Sequence, residues 1–243
     1  MNDTTVDKID PYNMLVEEIE GLKILLVDDE EFVISVIEQI LSDFGFENIR
    51  CAANGKEALE IINSEKIDLL LTDIQMPMMN GLELLKQIRS GHTKAPRGLL
   101  TIVVTSLDNP ESFGSAMSLD VNAFLTKPFK RLTIMKKIVQ ALADNNFQLR
   151  DERDYEGIDV VLGRTEVEVV SPESEADYGV QTTDRIVLLH ELESGMCLAA
   201  NVVTNNGVLV LAKGFMLSKT TIRRLHELGE GFVGKEYLIS QSD

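Results

Sequence analysis

The chain has 243 residues, of which 44% are apolar and 26% charged, and its net charge is −17. This composition is typical of a folded globular protein and excludes a chain that is disordered throughout. The net negative charge is opposite in sign to the basic surface of most nucleic-acid-binding proteins. No apolar run reaches membrane-spanning length, and the two distant cysteines favour a reducing compartment, so we expect a cytoplasmic protein with no membrane contact.

Short apolar runs alternate with longer segments of helical spacing over the first 145 residues. The predicted strands are Ile24–Val27, Asn48–Ala52, Ile67–Thr72, Leu99–Thr105 and Ala123–Leu125, and the predicted helices cover 32–44, 56–62, 82–88, 112–117 and 132–142. Parallel strands need crossover helices, so this alternation predicts an α/β domain. Because all five strands read as apolar, we expect a parallel sheet with both faces covered by helices.

The chain is predicted to have four parts, which are an N-terminal extension (1–21), the α/β domain (22–145), an acidic linker (146–185) and a small C-terminal domain (186–243). The linker is inferred from charge, because residues 151–184 carry 11 acidic and 2 basic side chains. Such a segment is typical of a solvated connector.

The C-terminal domain is predicted to be a small α+β unit. Its apolar segments Cys197–Thr204 and Val208–Ala212 flank an Asn-Asn-Gly sequence, which is a strong hairpin signal. Ser218 can cap a helix that continues to Leu228, and Phe232–Ile239 predicts a last strand.

Polar side chains end four of the predicted strands of the α/β domain. They are Asp28 and Asp29, Asp73, Thr105 and Lys127. The carboxyl ends of parallel strands share one edge of the sheet, so we expect these groups to converge there. Crowded carboxylates call for a compensating cation, and an all-oxygen set of ligands favours Mg²⁺.

Asp73, at the centre of this predicted cluster, can act as a nucleophile that forms an acyl phosphate. Lys127 and the Thr105 hydroxyl can then contact oxygens of the transferred phosphoryl group. Taken singly, each residue could be a helix cap or part of a turn. Their shared position at the same end of successive strands favours a functional site.

Four motifs make residues 22–145 resemble the receiver domain of two-component response regulators. They are Leu25–Glu30, Leu71–Gly81, Ile102–Ser106 and Phe124–Phe129. The resemblance implies a flavodoxin-like (βα)5 fold with a five-stranded parallel sheet. It also implies a phosphorelay signalling protein, a phosphoprotein rather than an enzyme, that receives its phosphoryl group from a sensor histidine kinase or phosphotransfer protein.

The same resemblance assigns roles to individual residues. Asp73 would be the phosphoacceptor, and Mg²⁺ would be bound by Asp28, Asp29, Asp73 and the backbone carbonyl of Gln75. Lys127 would be the lysine of the family pattern. Thr105 and Phe124 would be the switch pair, whose movement reshapes the face formed by the fourth helix, fifth strand and fifth helix.

The C-terminal segment resembles, over residues 188–239, the small segment that precedes the catalytic domain in HD-GYP-type cyclic di-GMP phosphodiesterases. The His-Asp and Gly-Tyr-Pro motifs of that catalytic domain are absent from the sequence. We therefore expect a non-catalytic output domain that binds a downstream protein partner or a second copy of the chain.

Two alternative outputs stay open, a DNA-binding transcription regulator and a cyclic di-GMP pathway regulator or binder. Arg223 and Arg224 could contact DNA phosphates, but the C-terminal segment is neutral overall. We therefore do not expect DNA binding, and we predict that this arginine pair lies on a solvated helix face.

Overall fold

The structure is a computed structural model, and it describes residues 21–106, 110–144, 147, 149–160, 184–203, 209–228 and 233–240. The predicted N-terminal extension lies outside these residues except for Gly21. No helix in the described part of the chain is long and apolar enough to cross a bilayer.

The strands and helices of the described residues follow the predicted alternation through the first domain. The strands are β1 (Lys23–Val27), β2 (Asn48–Ala52), β3 (Leu69–Asp73), β4 (Leu100–Ser106), β5 (Ala123–Lys127), β6 (Arg185–Leu188), β7 (Cys197–Leu198), β8 (Val202–Val203), β9 (Leu209–Leu211) and β10 (Glu236–Ser240). The helices are α1 (Glu31–Asp43), α2 (Gly55–Ser64), α3 (Gly81–Arg89), α4 (Pro110–Ser118), α5 (Arg131–Leu142), α6 (Glu152–Glu156) and α7 (Lys219–Leu228).

The first five strands form one parallel sheet in the order β2-β1-β3-β4-β5. This is the strand order of the flavodoxin-like fold, and it confirms the predicted α/β architecture. The order reverses beside β1, so the carboxyl ends of β1 and β3 border a crevice at the sheet edge.

Helices cover both faces of this sheet, as the apolar spacing of their residues predicts. On one face, Ile37 of α1 and Ile138 of α5 are fully buried against strand residues such as Leu71. On the other face, Ile62 of α2 and Leu84 of α3 pack with residues of β1 and β3. Each fully buried aliphatic side chain contributes about 1.5–3 kcal/mol, so these contacts hold the sheet edge in place.

Strand β2 departs from the prediction of five apolar strands. It is an edge strand with one neighbour, and its residues Arg50 and Cys51 are solvent-exposed or partly so. The Arg50 Nε donates a hydrogen bond to Glu65 at 2.8 Å. Cys51 and Cys197 are both free thiols.

The C-terminal unit contains the antiparallel sheet β6-β10-β7 and the antiparallel pair β8-β9. Helix α7 confirms the predicted helix, and Ser218 caps it by accepting a hydrogen bond from the Thr221 amide at 3.0 Å. The apolar segment Cys197–Thr204 contains two short strands, β7 and β8, which pair in different sheets. Between β7 and β8, the Asn201 side chain accepts a hydrogen bond from the Lys213 amide at 2.7 Å.

The β8-β9 pair agrees with the predicted hairpin, although its turn (204–208) lies outside the described residues. Residues 229–232, where the last helix was predicted to stop and the last strand to begin, also lie outside them. Within the described residues the last strand is β10, which begins at Glu236.

Residues 149–160 lie along the first domain before the chain reaches the C-terminal unit. The Lys86 ammonium of α3 donates to the Ile158 carbonyl at 2.7 Å, and the Tyr155 hydroxyl donates to Asp120 at 2.8 Å. Strand β9 packs against α4, and one apolar cluster runs from Phe113 of α4 to Val210 and Leu211 of β9. The C-terminal unit therefore shares a continuous core with the first domain.

The predicted solvated position of Arg223 and Arg224 is wrong. The Arg224 residue is 0% exposed, and the Arg223 side chain is 29% exposed. Both point into the contact between α7 and the first domain, because Arg223 donates to the Asn122 carbonyl at 3.0 Å and Arg224 lies 3.9 Å from Asp120.

Candidate functional site

Four neighbouring strands deliver polar residues to one edge of the parallel sheet. Asp28 follows β1 directly, Asp73 ends β3, Thr105 is the penultimate residue of β4 and Lys127 ends β5. The apolar residues that precede each of them are buried in the sheet, so the strands fix the main-chain positions of these polar residues. This is the convergence that the sequence predicts.

Lys127 lies at the centre of the group. Its ammonium nitrogen is 2.9 Å from Asp28 Oδ2 and 2.9 Å from Asp73 Oδ1, with Glu30 Oε1 further away at 3.8 Å. One ammonium group therefore compensates the charge of two carboxylates that are themselves nearly buried. Burial lowers the pKa of Lys127, but its bonds to Asp28 and Asp73 outweigh this and raise that pKa above its ordinary value.

Asp73 is 8% exposed and is held at both carboxylate oxygens. One oxygen contacts Lys127, and the other accepts a hydrogen bond from the Gln75 amide at 2.6 Å. Burial raises the pKa of Asp73, with a smaller contribution from the neighbouring charge of Asp28, while Lys127 and the Gln75 amide act in the opposite direction. The carboxylate is thus fixed in orientation and its charged form is partly desolvated.

A cleft of about 170 Å³ opens beside Asp73. It is smaller than the pockets that hold drug-sized ligands, so it suits a small group rather than a whole substrate. Its lining residues are Asp29, Glu30, Asp73, Ile74, Gln75, Thr105, Ser106, Ser112 and Lys127. Asp28, which is 1% exposed, does not line the cleft, but its carboxylate contacts two lining residues, the Lys127 ammonium and the Glu30 amide.

The two predicted switch residues lie at different depths. Thr105 lines the cleft, and its hydroxyl donates to the Ser106 carbonyl at 3.1 Å. Phe124 lies behind the cleft, 4% exposed, with its ring centroid 4.8 Å from that of Phe113 in α4. The structure therefore brings Thr105 to the site and connects Phe124 to α4.

The donor chemistry of the site fits a hard divalent cation, because Asp28, Asp29, Asp73 and the Gln75 carbonyl supply oxygen alone. Within the ranges that the structure describes, no three His, Cys, Asp or Glu side chains are arranged to hold a metal ion as they stand. The Lys127 ammonium contacts both Asp28 and Asp73.

Sequence reasoning missed five residues of this site. Four of them line the cleft, namely Glu30, Ile74, Ser106 and Ser112. The fifth, Gly81, packs against the Asp73 main chain, where a Cβ atom would lie 1.9 Å from the Asp73 carbonyl oxygen. Only glycine fits at that position. The Asn80-Gly81 start of α3, where Asn80 forms a capping box with Glu83, was the available signal for this close approach.

The fold and site define a class of phosphorelay signalling domain, and comparison with known proteins agrees with it. The family profile of the response regulator receiver domain matches residues 24–139. The chain belongs to the response regulator receiver family, which serves two-component systems. Receiver domains are mostly non-enzymatic signalling domains, and they typically bind Mg²⁺ at their acidic pocket.

Among its relatives, chemotaxis protein CheY-3 of Vibrio cholerae is 32% identical over 119 residues, which are 49% of this chain and 90% of CheY-3. The Regulator of RpoS of Escherichia coli is 33% identical over 141 residues, or 58% of this chain. That match spans 40% of the length of the Regulator of RpoS.

A solved structure of a CheY-like receiver domain protein from Methanospirillum hungatei is 30% identical, covers 51% of this chain and 96% of its own, and has a TM-score of 0.46. The family profile ends at residue 139, so it does not include the C-terminal unit. The resemblance of residues 188–239 to the HD-GYP-associated segment therefore stays a prediction.

Proposed function

We propose that the chain is a response regulator in which Asp73 accepts a phosphoryl group from a phosphohistidine of a sensor histidine kinase or phosphotransfer protein. The observation that carries this proposal is the Asp73 carboxylate itself, fixed by Lys127 and the Gln75 amide on the wall of a small cleft. An Asp73 oxygen attacks phosphorus, the phosphorus–nitrogen bond breaks, and the imidazole leaves with that bonding pair. The product is an acyl phosphate on Asp73.

Lys127 has two tasks in this reaction. Its charge keeps Asp73 ionised, and hence nucleophilic, although burial disfavours the carboxylate. It can also pair with an oxygen of the arriving phosphoryl group, which carries negative charge in the transition state. Mg²⁺, held by Asp28, Asp29, Asp73 and the Gln75 carbonyl, would supply further neutralisation of that charge when bound.

The switch follows from the positions of Thr105 and Phe124. New phosphoryl oxygens at Asp73 are acceptors for the Thr105 hydroxyl, whose present acceptor is the Ser106 carbonyl. Movement of Thr105 gives the Phe124 ring room to turn. Because Phe124 stacks on Phe113, this turn alters the face of α4, β5 and α5.

Three exposed apolar residues that follow site residues in the chain supply a docking surface for the phosphodonor. Phe32, Met78 and Leu132 are large apolar residues with exposures of 78%, 65% and 67%. Each follows a site residue closely in the chain, namely Asp29, Asp73 and Lys127. Exposed apolar groups around a polar centre are typical of a protein-binding surface.

For the output, we propose that residues 186–243 form a non-catalytic protein-interaction domain joined to the receiver domain (22–145) by the linker 146–185, without a separate catalytic domain. Contact of Arg223 and Arg224 with the receiver supports protein binding over DNA binding, because these arginines are the only adjacent basic pair of that segment.

Phosphorylation by acetyl phosphate with Mg²⁺, followed by intact-protein mass spectrometry, tests the proposed function. Wild type should gain one phosphoryl group, and the Asp73→Asn variant should gain none. Asp154→Asn, at an exposed carboxylate on α6, is the matched control and should be labelled like wild type. Equal labelling of Asp73→Asn and wild type would remove Asp73 from its role.

A further inference from the structure

Three hydroxyl side chains line the cleft beside Asp73, and they differ in what they contact. The Thr105 hydroxyl donates to the Ser106 carbonyl at 3.1 Å, and Ser106 itself is exposed to water. Ser112 of α4 is 0% exposed, and its hydroxyl oxygen has no hydrogen-bond partner among the described residues. Of the three, Ser112 is therefore the one whose hydroxyl is both buried and unpaired.

The unpaired hydroxyl of Ser112 is unfavourable for the unmodified protein. A serine hydroxyl donates and accepts hydrogen bonds in water, and burial without a partner removes them at a net cost. Most buried polar groups in folded proteins do have a partner, so an exception calls for a specific reason. Packing does not supply that reason, because alanine is nearly the same size and would fill this position without an unpaired group.

The groups around the cleft indicate what this hydroxyl can bind. Lys127 is the cationic side chain among the lining residues, and its ammonium already contacts Asp28 and Asp73. A phosphoryl group on Asp73 would bring three oxygens, all of them hydrogen-bond acceptors, into the cleft. Lys127 and Thr105 are the side-chain partners proposed above for this group, and the Ser112 hydroxyl offers a further donor.

Ser112 reaches the cleft from a helix, whereas Thr105 and Lys127 lie at the ends of strands. The next residue of the helix, Phe113, is 0% exposed and belongs to the apolar cluster behind the cleft, so the first turn of α4 is anchored in the core. The Ser112 hydroxyl is therefore presented on a fixed helical turn. A side chain that is already buried loses little further freedom when it binds a ligand, which favours the bond.

We propose that Ser112 is a phosphoryl-binding residue, whose hydroxyl donates a hydrogen bond to an oxygen of the phosphoryl group on Asp73. The proposal rests on the proposed function, in which Asp73 is the phosphoacceptor. The hydroxyl is unpaired before phosphorylation and gains a partner afterwards, so this bond stabilises the phosphorylated state relative to the unmodified one. Because the donor belongs to α4, the phosphoryl group is bound by a helix as well as by the strand ends.

The test measures binding of BeF₃⁻, in the presence of Mg²⁺, to the full chain by ¹⁹F NMR. BeF₃⁻ adds to a carboxylate oxygen as a tetrahedral group, so its fluorines are acceptors in place of the phosphoryl oxygens. Ser112→Ala should bind BeF₃⁻ about tenfold more weakly than wild type, as expected for the loss of one hydrogen bond to a charged group. At least one fluorine resonance of the bound group should also change position, because its donor is absent. Asp73→Asn should not bind BeF₃⁻.

Two measurements separate this contact from a change in folding. Ser90 directly follows α3, is 4% exposed and has a hydroxyl that is also unpaired among the described residues, but it does not line the cleft. Ser90→Ala is therefore the matched control and should bind BeF₃⁻ like wild type. In urea, unmodified Ser112→Ala should unfold at the same denaturant concentration as wild type or at a higher one, because it loses no hydrogen bond.

The outcomes distinguish this proposal from the proposed function. Equal BeF₃⁻ affinity in wild type and Ser112→Ala overturns the role of Ser112, and labelling by acetyl phosphate then still supports Asp73 as phosphoacceptor. Wild type that neither binds BeF₃⁻ nor is labelled by acetyl phosphate overturns the proposed function and this proposal with it. Equal weakening in Ser112→Ala and Ser90→Ala overturns a contact at the cleft. Unfolding of unmodified Ser112→Ala at a lower urea concentration than wild type overturns the premise that the hydroxyl is unpaired.

Discussion

The receiver domain and the C-terminal unit each bury an arginine completely, but in opposite ways. Arg89 of α3 donates to the carbonyls of Leu119, Leu99 and Asp120, and to the side chain of Asn122. It also donates to the Arg97 carbonyl. The guanidinium group of Arg224 in α7 has no hydrogen-bond partner among the described residues.

This difference separates a buried charge whose hydrogen bonds are made from one whose hydrogen bonds are missing. Arg89 joins α3 to the loop before β4 and to the α4–β5 turn. Its removal would leave several buried carbonyls without a hydrogen-bond donor. In water the Arg224 guanidinium would form hydrogen bonds that it lacks in the buried position. The receiver is therefore held by satisfied charges, while the contact with the C-terminal unit includes an unsatisfied one.

The largest effect is expected from Arg89→Met. The variant leaves the Leu119, Leu99 and Asp120 carbonyls without their donor inside the protein, which should lower the free energy of unfolding by about 4 kcal/mol. Urea denaturation measures this loss. Arg50→Met, at the exposed arginine of β2, should lose less than about 1 kcal/mol; equal losses in the two variants would contradict the stabilising role of Arg89.

Lys127→Met should come next. It leaves the carboxylates of Asp28 and Asp73 without their shared cation, at a cost of about 2 kcal/mol near neutral pH, less than for a fully buried pair because Lys127 keeps 22% exposure. The loss should shrink on acidification, since protonation of Asp73 relieves the repulsion. Urea denaturation at neutral and acidic pH measures both effects, and Lys66→Met, at a surface ion pair, should show neither.

The smallest effect, and one of opposite sign, is expected from Asp73→Asn. The pKa of Asp73 is raised in the folded protein, so its contribution to stability is present at low pH and is lost as the pH rises through that pKa. At neutral pH the variant should therefore be more stable than wild type, by on the order of 1 kcal/mol.

Thermal unfolding at neutral and acidic pH checks this expectation, because the gain should disappear in acid. Asp43→Asn supplies the contrast. A hydrogen bond from Gln39, together with one from Arg131, lowers the pKa of Asp43, so this variant should show no gain at neutral pH. A gain in both variants would mean that loss of any negative charge, rather than burial at the site, is responsible.

Local sequence pattern was enough to predict the parallel α/β sheet and the convergence of Asp28, Asp73 and Lys127, and the resemblance to receiver domains added the flavodoxin-like fold. Each of these residues directly ends or follows an apolar strand, and parallel pairing brings strand ends together. The catalytic and switch roles of Asp73, Thr105 and Phe124 stay predictions until phosphorylation is measured.

The C-terminal unit was harder to predict because its contacts are distant in sequence. The segment Cys197–Thr204 reads as one apolar segment beside a hairpin turn, but its first part, β7, pairs with β10, about 40 residues further along the chain. The Arg223-Arg224 pair reads as a solvent face, since charged residues on an amphipathic helix usually are one. Its acceptors, the Asn122 carbonyl and Asp144, belong to another domain, and local pattern carries no signal for them.

The exposed position of β2 has a consequence for aggregation. An open strand edge offers unpaired main-chain groups to which a strand of another molecule can add, as in fibril growth. Arg50 and its partner Glu65 place opposite charges beside this edge, with Lys23 3.7 Å from the same glutamate. Addition of a strand would desolvate these charges, and the free-energy cost of that desolvation opposes edge-to-edge association of two molecules.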